Sequence, residues 1–276
     1  MSDQYIDLSW SQVAWASSLV VLNASVSVLV SLGLQRRLVL AAVRMVVQLI
    51  FIGAVLKWVF SLQRWYAIVP LMIAMSLIGS LAAVQQTNRR YPGIWLNSIA
   101  SVFASSWLMI FVGVVLIVRV HPWYSPQYAI PLAGMILGNT LSGISLTLDR
   151  LAEEVTSHRD QIEALLALGA TRKEAARDPI RRAVATGLMP TINFMVLAGL
   201  VTLPGTMTGQ LLAGVDPLSA VKYQIVIMFL LVSGTALGTL GIAMLTYHRL
   251  FNSRHQFLYW LISEQEKGSS AKVLAT

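Results

Sequence analysis

Residues 38–60 read LVLAAVRMVVQLIFIGAVLKWVF, twenty-three residues in which only Arg44, Gln48 and Lys57 are polar. Coiled as a helix at about 1.5 Å per residue, the run is about 35 Å long, enough to cross a hydrocarbon layer of about 30 Å. Six further stretches are also long and apolar: Val13–Leu34, Trp65–Val84, Ile94–Val118, Tyr128–Leu148, Ala183–Leu203 and Gln224–Tyr247. The expectation is an all-α, polytopic integral membrane protein of about seven transmembrane helices. Composition agrees. The chain has 276 residues, 56% hydrophobic and 12% charged, with mean hydropathy +0.69. Soluble domains carry about 25% charged residues, so this chain has too little polar surface to cover a water-soluble globule. It contains no Cys, which excludes thiol redox chemistry, Fe–S clusters and thiolate metal sites. The first span reads as a retained helix and not a cleaved signal, because Asp3 and Asp7 precede it and its apolar run is long.

Charge is distributed unevenly. No carboxylate occurs from Leu8 to Leu148, and seven of the twelve lie between Asp149 and Asp178. The formal charge of +8 suggests nucleic acid at first sight, but basic loops beside apolar spans are the ordinary mark of membrane topology, and no nucleic-acid partner is expected. Alternate loops on one side hold fifteen Lys and Arg, or sixteen with Arg44, against Lys57, Arg64, Arg119 and Lys222 on the other. That bias orients the N-terminus outside and the C-terminus in the cytoplasm.

The stretch Asp149–Arg182 balances seven acids with seven bases. Leu151, Val155, Ile162 and Leu165 recur there at helical spacing, with His158 on the same stripe, which predicts an amphipathic helix in water. Gly169 ends it, Thr171-Arg172-Lys173-Glu174 reads as a capping box opening a second helix, and Asp178-Pro179 reads as the start of a third. The result is an elbow between spans, either a solvated loop or a lever. Glu163-Ala164-Leu165, followed after three residues by Gly169, resembles the coupling loop of ABC importer permeases, which docks on the ATPase subunit. That resemblance implies ATPase-coupling roles for Glu163, Ala164, Leu165, Gly169, Ala170 and Thr171. The importer pattern expects its Leu-Pro sooner than Met189-Pro190 occurs.

Longer stretches carry a second resemblance: VRMVVQLIFIGAVLKWVF from Val43, IPLAGMILGN from Ile130, LALGATRKEAARDPIRRAVATGLMPTIN from Leu166, GLVTLPGTMTGQLLAGVDPLSAVKYQI from Gly199 and FNSRHQ from Phe251. Together they resemble the FetB-type iron export permease family, which includes plant permeases linked to aluminium tolerance. The resemblance implies a permease domain over residues 1–276, with coupling helices at 149–182 and a cytoplasmic tail at 249–276. It further implies a homodimer in the cell membrane (inner or plasma), working with a separate ABC ATP-binding subunit that holds ATP and Mg²⁺. This chain itself would bind no cofactor. Iron is the implied cargo, and an organic substrate such as a nucleotide sugar is the alternative.

The residues limit the rivals. No phosphate-binding Gly-x-x-x-x-Gly-Lys-Ser/Thr occurs, so ATP hydrolysis falls to a partner. The expected spans hold no carboxylate and no His to relay protons. The last one holds no Lys for a retinal Schiff base. An intramembrane enzyme remains as a rival of a different class, although no Asp or His lies in a span to activate a Ser. Polar residues inside spans mark a route, and Arg44, Gln48, Asn139 and Asn193 are the candidates, joined by Met207 and Gln210 in the Gly-rich Leu203–Gln210 segment. For Arg44 the alternative is snorkelling to headgroups; for the asparagines it is bridging between helices. A metal ligand set is not legible. Gly134-x-x-x-Gly138 and Gly234-x-x-x-Gly238 allow close helix approach, within one subunit or between two.

Overall fold

A computed structural model describes residues 8–264 apart from 32, 63, 88 and 253. Helices dominate. They are α1 (Trp10–Leu29), α2 (Gln35–Leu62), α3 (Trp65–Gln85), α4 (Ile94–Val102), α5 (Leu108–Phe111), α6 (Pro126–Ser157), α7 (Arg159–Ala167), α8 (Arg172–Leu197), α9 (Gly205–Leu212) and α10 (Pro217–Leu250). Two short strands, β1 (Arg89–Arg90) and β2 (Ser263–Glu264), pair antiparallel. Among the described residues, six helical stretches are long and apolar enough to cross a membrane: α1, α2, α3, the run Ile94–Ile117, α6 and α10.

The expected sixth span, Ala183–Leu203, behaves differently. It begins inside α8 and the helix stops at Leu197. The first eleven residues of α8 carry Arg172, Lys173, Glu174, Arg177, Asp178, Arg181 and Arg182. The uncharged remainder, Ala183–Leu197, is only about 22 Å long, short of a full crossing.

Helix α6 is the hub, packed against α8, α10 and α3, while α1 packs mainly on α2. One buried cluster joins Leu148, Leu151, Val155, Ile162, Ala176, Tyr247 and Phe257 at the end of α6 nearest α7. Another, at the opposite end, joins Val59, Ile68, Ile110, Ile136, Ile227 and Leu231. The stripe expected to form a separate amphipathic helix is therefore divided. Leu151 and Val155 are buried as α6 continues nine residues past Leu148, whereas Ile162 is buried from α7. The third helix expected at Asp178-Pro179 does not form, because α8 runs through both Pro179 and Pro190. Ala175, Pro179, Ala183, Gly187 and Thr191 make one buried small-residue stripe, and its packing outweighs the hydrogen bond each proline forfeits.

Small residues permit the tightest contact. A β-carbon built on Gly187 would lie 2.6 Å from the Gly143 carbonyl oxygen and 3.0 Å from Thr239 Cγ2. The two Gly-x-x-x-Gly motifs are used differently. On Gly238 a β-carbon would meet Thr140 at 2.6 Å and Ser105 at 3.1 Å, inside the chain, whereas Gly138 has nothing within 4 Å.

The run Ile94–Ile117 contains two π-helical turns, Phe103–Trp107 and Val112–Ile117. Buried positions recur there as adjacent pairs: Asn97-Ser98, Ser101-Val102, Ser105-Ser106, Met109-Ile110 and Gly113-Val114. Hydroxyls on this face tie helices together, as Ser98 Oγ donates to Ser80 O at 3.1 Å and Ser101 Oγ to Gly238 O at 2.8 Å.

Candidate functional site

The elbow has an inner and an outer face. Ile162 is buried under α7 and Leu166 packs beside it, so the helix is anchored by one side. On the other side Ala164 is exposed, Leu165 is 44% exposed and Leu168 is 86% exposed. Gly169 then adopts φ +92°, and nothing would meet a β-carbon there within 4 Å. An apolar tip on a short helix, followed by a left-handed turn open to its surroundings, is the shape expected of a docking knob. Glu163 is half-exposed and accepts from Arg159 Nε at 2.8 Å. Ala170 is half-buried and its N–H bonds the Leu165 carbonyl, closing the turn.

The capping box forms as the sequence predicts. The Glu174 N–H donates to Thr171 Oγ1 at 3.3 Å, and the Thr171 N–H donates to Glu174 Oε2 at 2.7 Å. That backbone donor, joined by the Thr171 hydroxyl, holds the Glu174 carboxyl below its ordinary range. A carboxyl depressed in the folded state gives stability that is complete above the unfolded-state value and is lost as pH falls through the folded one. Thr171→Ala is expected to cost about 1 kcal/mol. Thermal unfolding followed by circular dichroism should show a lower midpoint for the variant at neutral pH. The gap should narrow, without closing, as pH falls below the ordinary glutamate range, because only the hydroxyl–carboxylate bond titrates.

Sequence reading misses the group that holds the elbow's base. Glu154 is 2% exposed and receives Arg150 Nη2, while Arg182 Nη1 lies at 3.1 Å and His158 Nδ1 at 3.3 Å. The 150, 154, 158 spacing is visible along α6, but Arg182 arrives from α8, twenty-eight residues away, and no local pattern announces it. This one carboxylate clamps α6 to α8 where α7 branches off.

The expected route residues do not converge within the chain. Arg44 and Gln48 share one face of α2, and both are exposed. Asn193 is exposed on α8, and half-buried Asn139 donates to Met135 O at 3.0 Å. All four thus lie outside the buried cores. Met207 and Gln210 sit on α9, so the Gly-rich segment contains a short helix. Before it, the chain from Ala198 to Pro204 is irregular, with Gly199 at φ +83°. There a cavity of about 470 Å³ opens, lined by Met195, Pro204, Met207, Gln224, Met228 and Phe229. Irregular backbone at membrane depth is tolerated where it lines a cavity. Thr206 Oγ1 donates to buried Gln224, and Gln210 Oε1 is buried without a hydrogen-bond partner. Asp216 caps α10 through the Ser219 N–H at 3.0 Å, with Pro217 as its first residue. From that cap α10 runs unbroken to Leu250.

Residues 10–251 match the model of a family described as an uncharacterised protein family, UPF0014. A UPF0014 membrane protein of Synechocystis is 38% identical over 264 residues, covering 94% of this chain and all of that protein. The probable iron export permease protein FetB of Escherichia coli is 36% identical over 251 residues, 89% of this chain and 93% of its own. The protein ALUMINUM SENSITIVE 3 of Arabidopsis thaliana is 29% identical over 262 residues, 92% of this chain and 94% of its own. No solved structure matches the chain. With six membrane-length helices among the described residues, all of them inside the family match, this multi-pass membrane protein belongs to the UPF0014 family.

Proposed function

We propose that the chain is the membrane-spanning permease subunit of an ABC transporter, driven by a separate ATP-binding subunit that docks on the α7–α8 elbow. The observation that carries this reading is the exposed apolar tip, with Leu168 86% exposed beside the open Gly169 turn. A bare leucine on a rigid, charge-flanked helix end is a knob for a partner's groove. Charge bias favours a cytoplasmic elbow, and the segment after α10 lies beside it, since His255 reaches the Arg172 N–H; ATP and Mg²⁺ are bound by the partner on that side. Two copies of this chain serve two ATPases, and the arrangement sits in the cell membrane. The exposure of Arg44 and Gln48 supports pairing, because polar side chains at membrane depth are costly against lipid and acceptable against protein or a wet route.

Iron export is the proposed transport, on the strength of the relative named as a probable iron export permease. Among the described residues no three His, Asp or Glu side chains are grouped to hold a metal, so iron would cross as a complex or on ligands shared by two copies. The cavity at Ala198–Pro204 supports a second reading, an organic substrate whose apolar body fills it.

The test is co-purification of the full chain with ATP-binding subunits from the same genome, followed by transport in proteoliposomes. Leu168→Asp is expected to weaken the complex by about 2 kcal/mol, roughly thirtyfold in Kd. Gly169→Trp is expected to leave the chain folded but to separate ATP hydrolysis from transport. Full transport by both variants would remove the elbow from the mechanism.

A further inference from the structure

The described segment following α10, up to Glu264, folds back on the molecule. Asn252 Oδ1 accepts from the N–H groups of Arg254 and Gln256 at 3.0 and 2.9 Å, and its Nδ2 donates to Gln256 Oε1 at 2.7 Å. This turn, with His255 at φ +58°, brings His255 Nδ1 to 3.0 Å from the backbone N–H of Arg172. Arg172 is the first residue of α8, so its N–H has no acceptor within the helix. The elbow's second helix is thus capped twice, by its own Thr171 and by an imidazole eighty-three residues away.

The chain then doubles back. Phe257 stacks on Phe251 with centroids 5.1 Å apart, and the Leu258 N–H bonds Leu250 O at 2.8 Å. Tyr259 comes to lie under the Arg159 guanidinium, 3.3 Å from ring centroid to Cζ, while Arg159 stays bound to Glu163. Finally β2 pairs with β1, with Arg89 opposite Glu264 and Arg90 opposite Ser263. One segment thereby touches the end of α10, α7, the start of α8 and the α3–α4 connection.

We infer that the described residues between Phe251 and Glu264 form a strap that positions the elbow, with Tyr259 and His255 as positioning residues acting through Arg159 and the Arg172 amide. The elbow's role in coupling rests on the ABC reading above; the strap is a property of this chain alone. Tied in this way, α7 moves together with α10 and with the α3–α4 connection. A push on the knob reaches α10 and the connection between α3 and α4 besides α8 itself.

The experiment uses the full chain in lipid nanodiscs, alone and with its ATPase partner. In the double variant Tyr259→Ala/His255→Ala, amide exchange across residues 163–174 is expected to rise at least tenfold, with exchange in Ile227–Thr239 unchanged. With the partner present, ATP hydrolysis should stay within twofold of the parent, while transport per ATP falls at least fivefold. Tyr259→Phe in the otherwise native chain keeps the ring face and should behave as the parent in both measurements, which mere loss of folding would not explain. Unchanged exchange at 163–174 in the double variant overturns the strap, whether or not any ATPase binds. Raised exchange with undiminished transport per ATP overturns its positioning role. Failure of every ATPase to bind the parent chain would count against the ABC reading, and the exchange measurement would still decide the strap.

Discussion

Gly187→Val is expected to yield no folded protein, and Gly187→Ala a protein destabilised by about 2–3 kcal/mol. A β-carbon at Gly187 would fall on the Thr147 hydroxyl and 2.6 Å from a backbone oxygen, that of Gly143. The Thr147 hydroxyl already donates to that same Gly143 oxygen at 2.8 Å, so moving it aside also breaks a buried hydrogen bond. A flexible side chain can yield; the α6 backbone can do so only if the α6–α8 crossing opens. Thr239, 3.0 Å away on α10, closes the third side. Gly138→Ala and Gly209→Ala are the controls, since nothing lies within 4 Å of either position. Thermal unfolding with size-exclusion monitoring in detergent decides the matter. A monodisperse Gly187→Val with the parental midpoint would show that this crossing does not set the fold.

Glu154→Ala is expected to cost about 2–3 kcal/mol, the loss of charge-assisted hydrogen bonds plus a cavity. The effect stays below that of stranding a buried ion, because its partners can return to water. Arg150 is 38% exposed, Arg182 52% and His158 36%. Arg182→Ala should cost less than Glu154→Ala, since Arg150 remains on the carboxylate. A double-mutant cycle in which the two costs add, with no coupling between Glu154 and Arg182, would contradict the clamp between α6 and α8.

Local chemistry was legible in the sequence wherever a few adjacent residues decide it. Thr171 and Glu174 make their reciprocal cap, and Gly169 takes the left-handed turn. Pro179 misled because proline after aspartate usually opens a helix, whereas here a small-residue stripe packed on α6 carries the helix through it. Apolar runs revealed the membrane helices but not the end of α6, since Leu151 and Val155 look the same in a surface helix as in a buried extension. The contacts that hold the elbow could not be read at all. Glu154–Arg182, Arg172–His255 and Arg159–Tyr259 join positions whose separation in the chain carries no periodic signal.

The paired burial along Ile94–Ile117 has a geometric result. Its buried pairs return every four residues from Asn97-Ser98 to Gly113-Val114. An ordinary α-helix, at about 3.6 residues per turn, would swing such a face round by about 40° at each repeat. The wider turns at Phe103–Trp107 and Val112–Ile117 cancel that drift. The rod therefore shows its neighbours one unrotated edge from end to end, and every part of it touches α10.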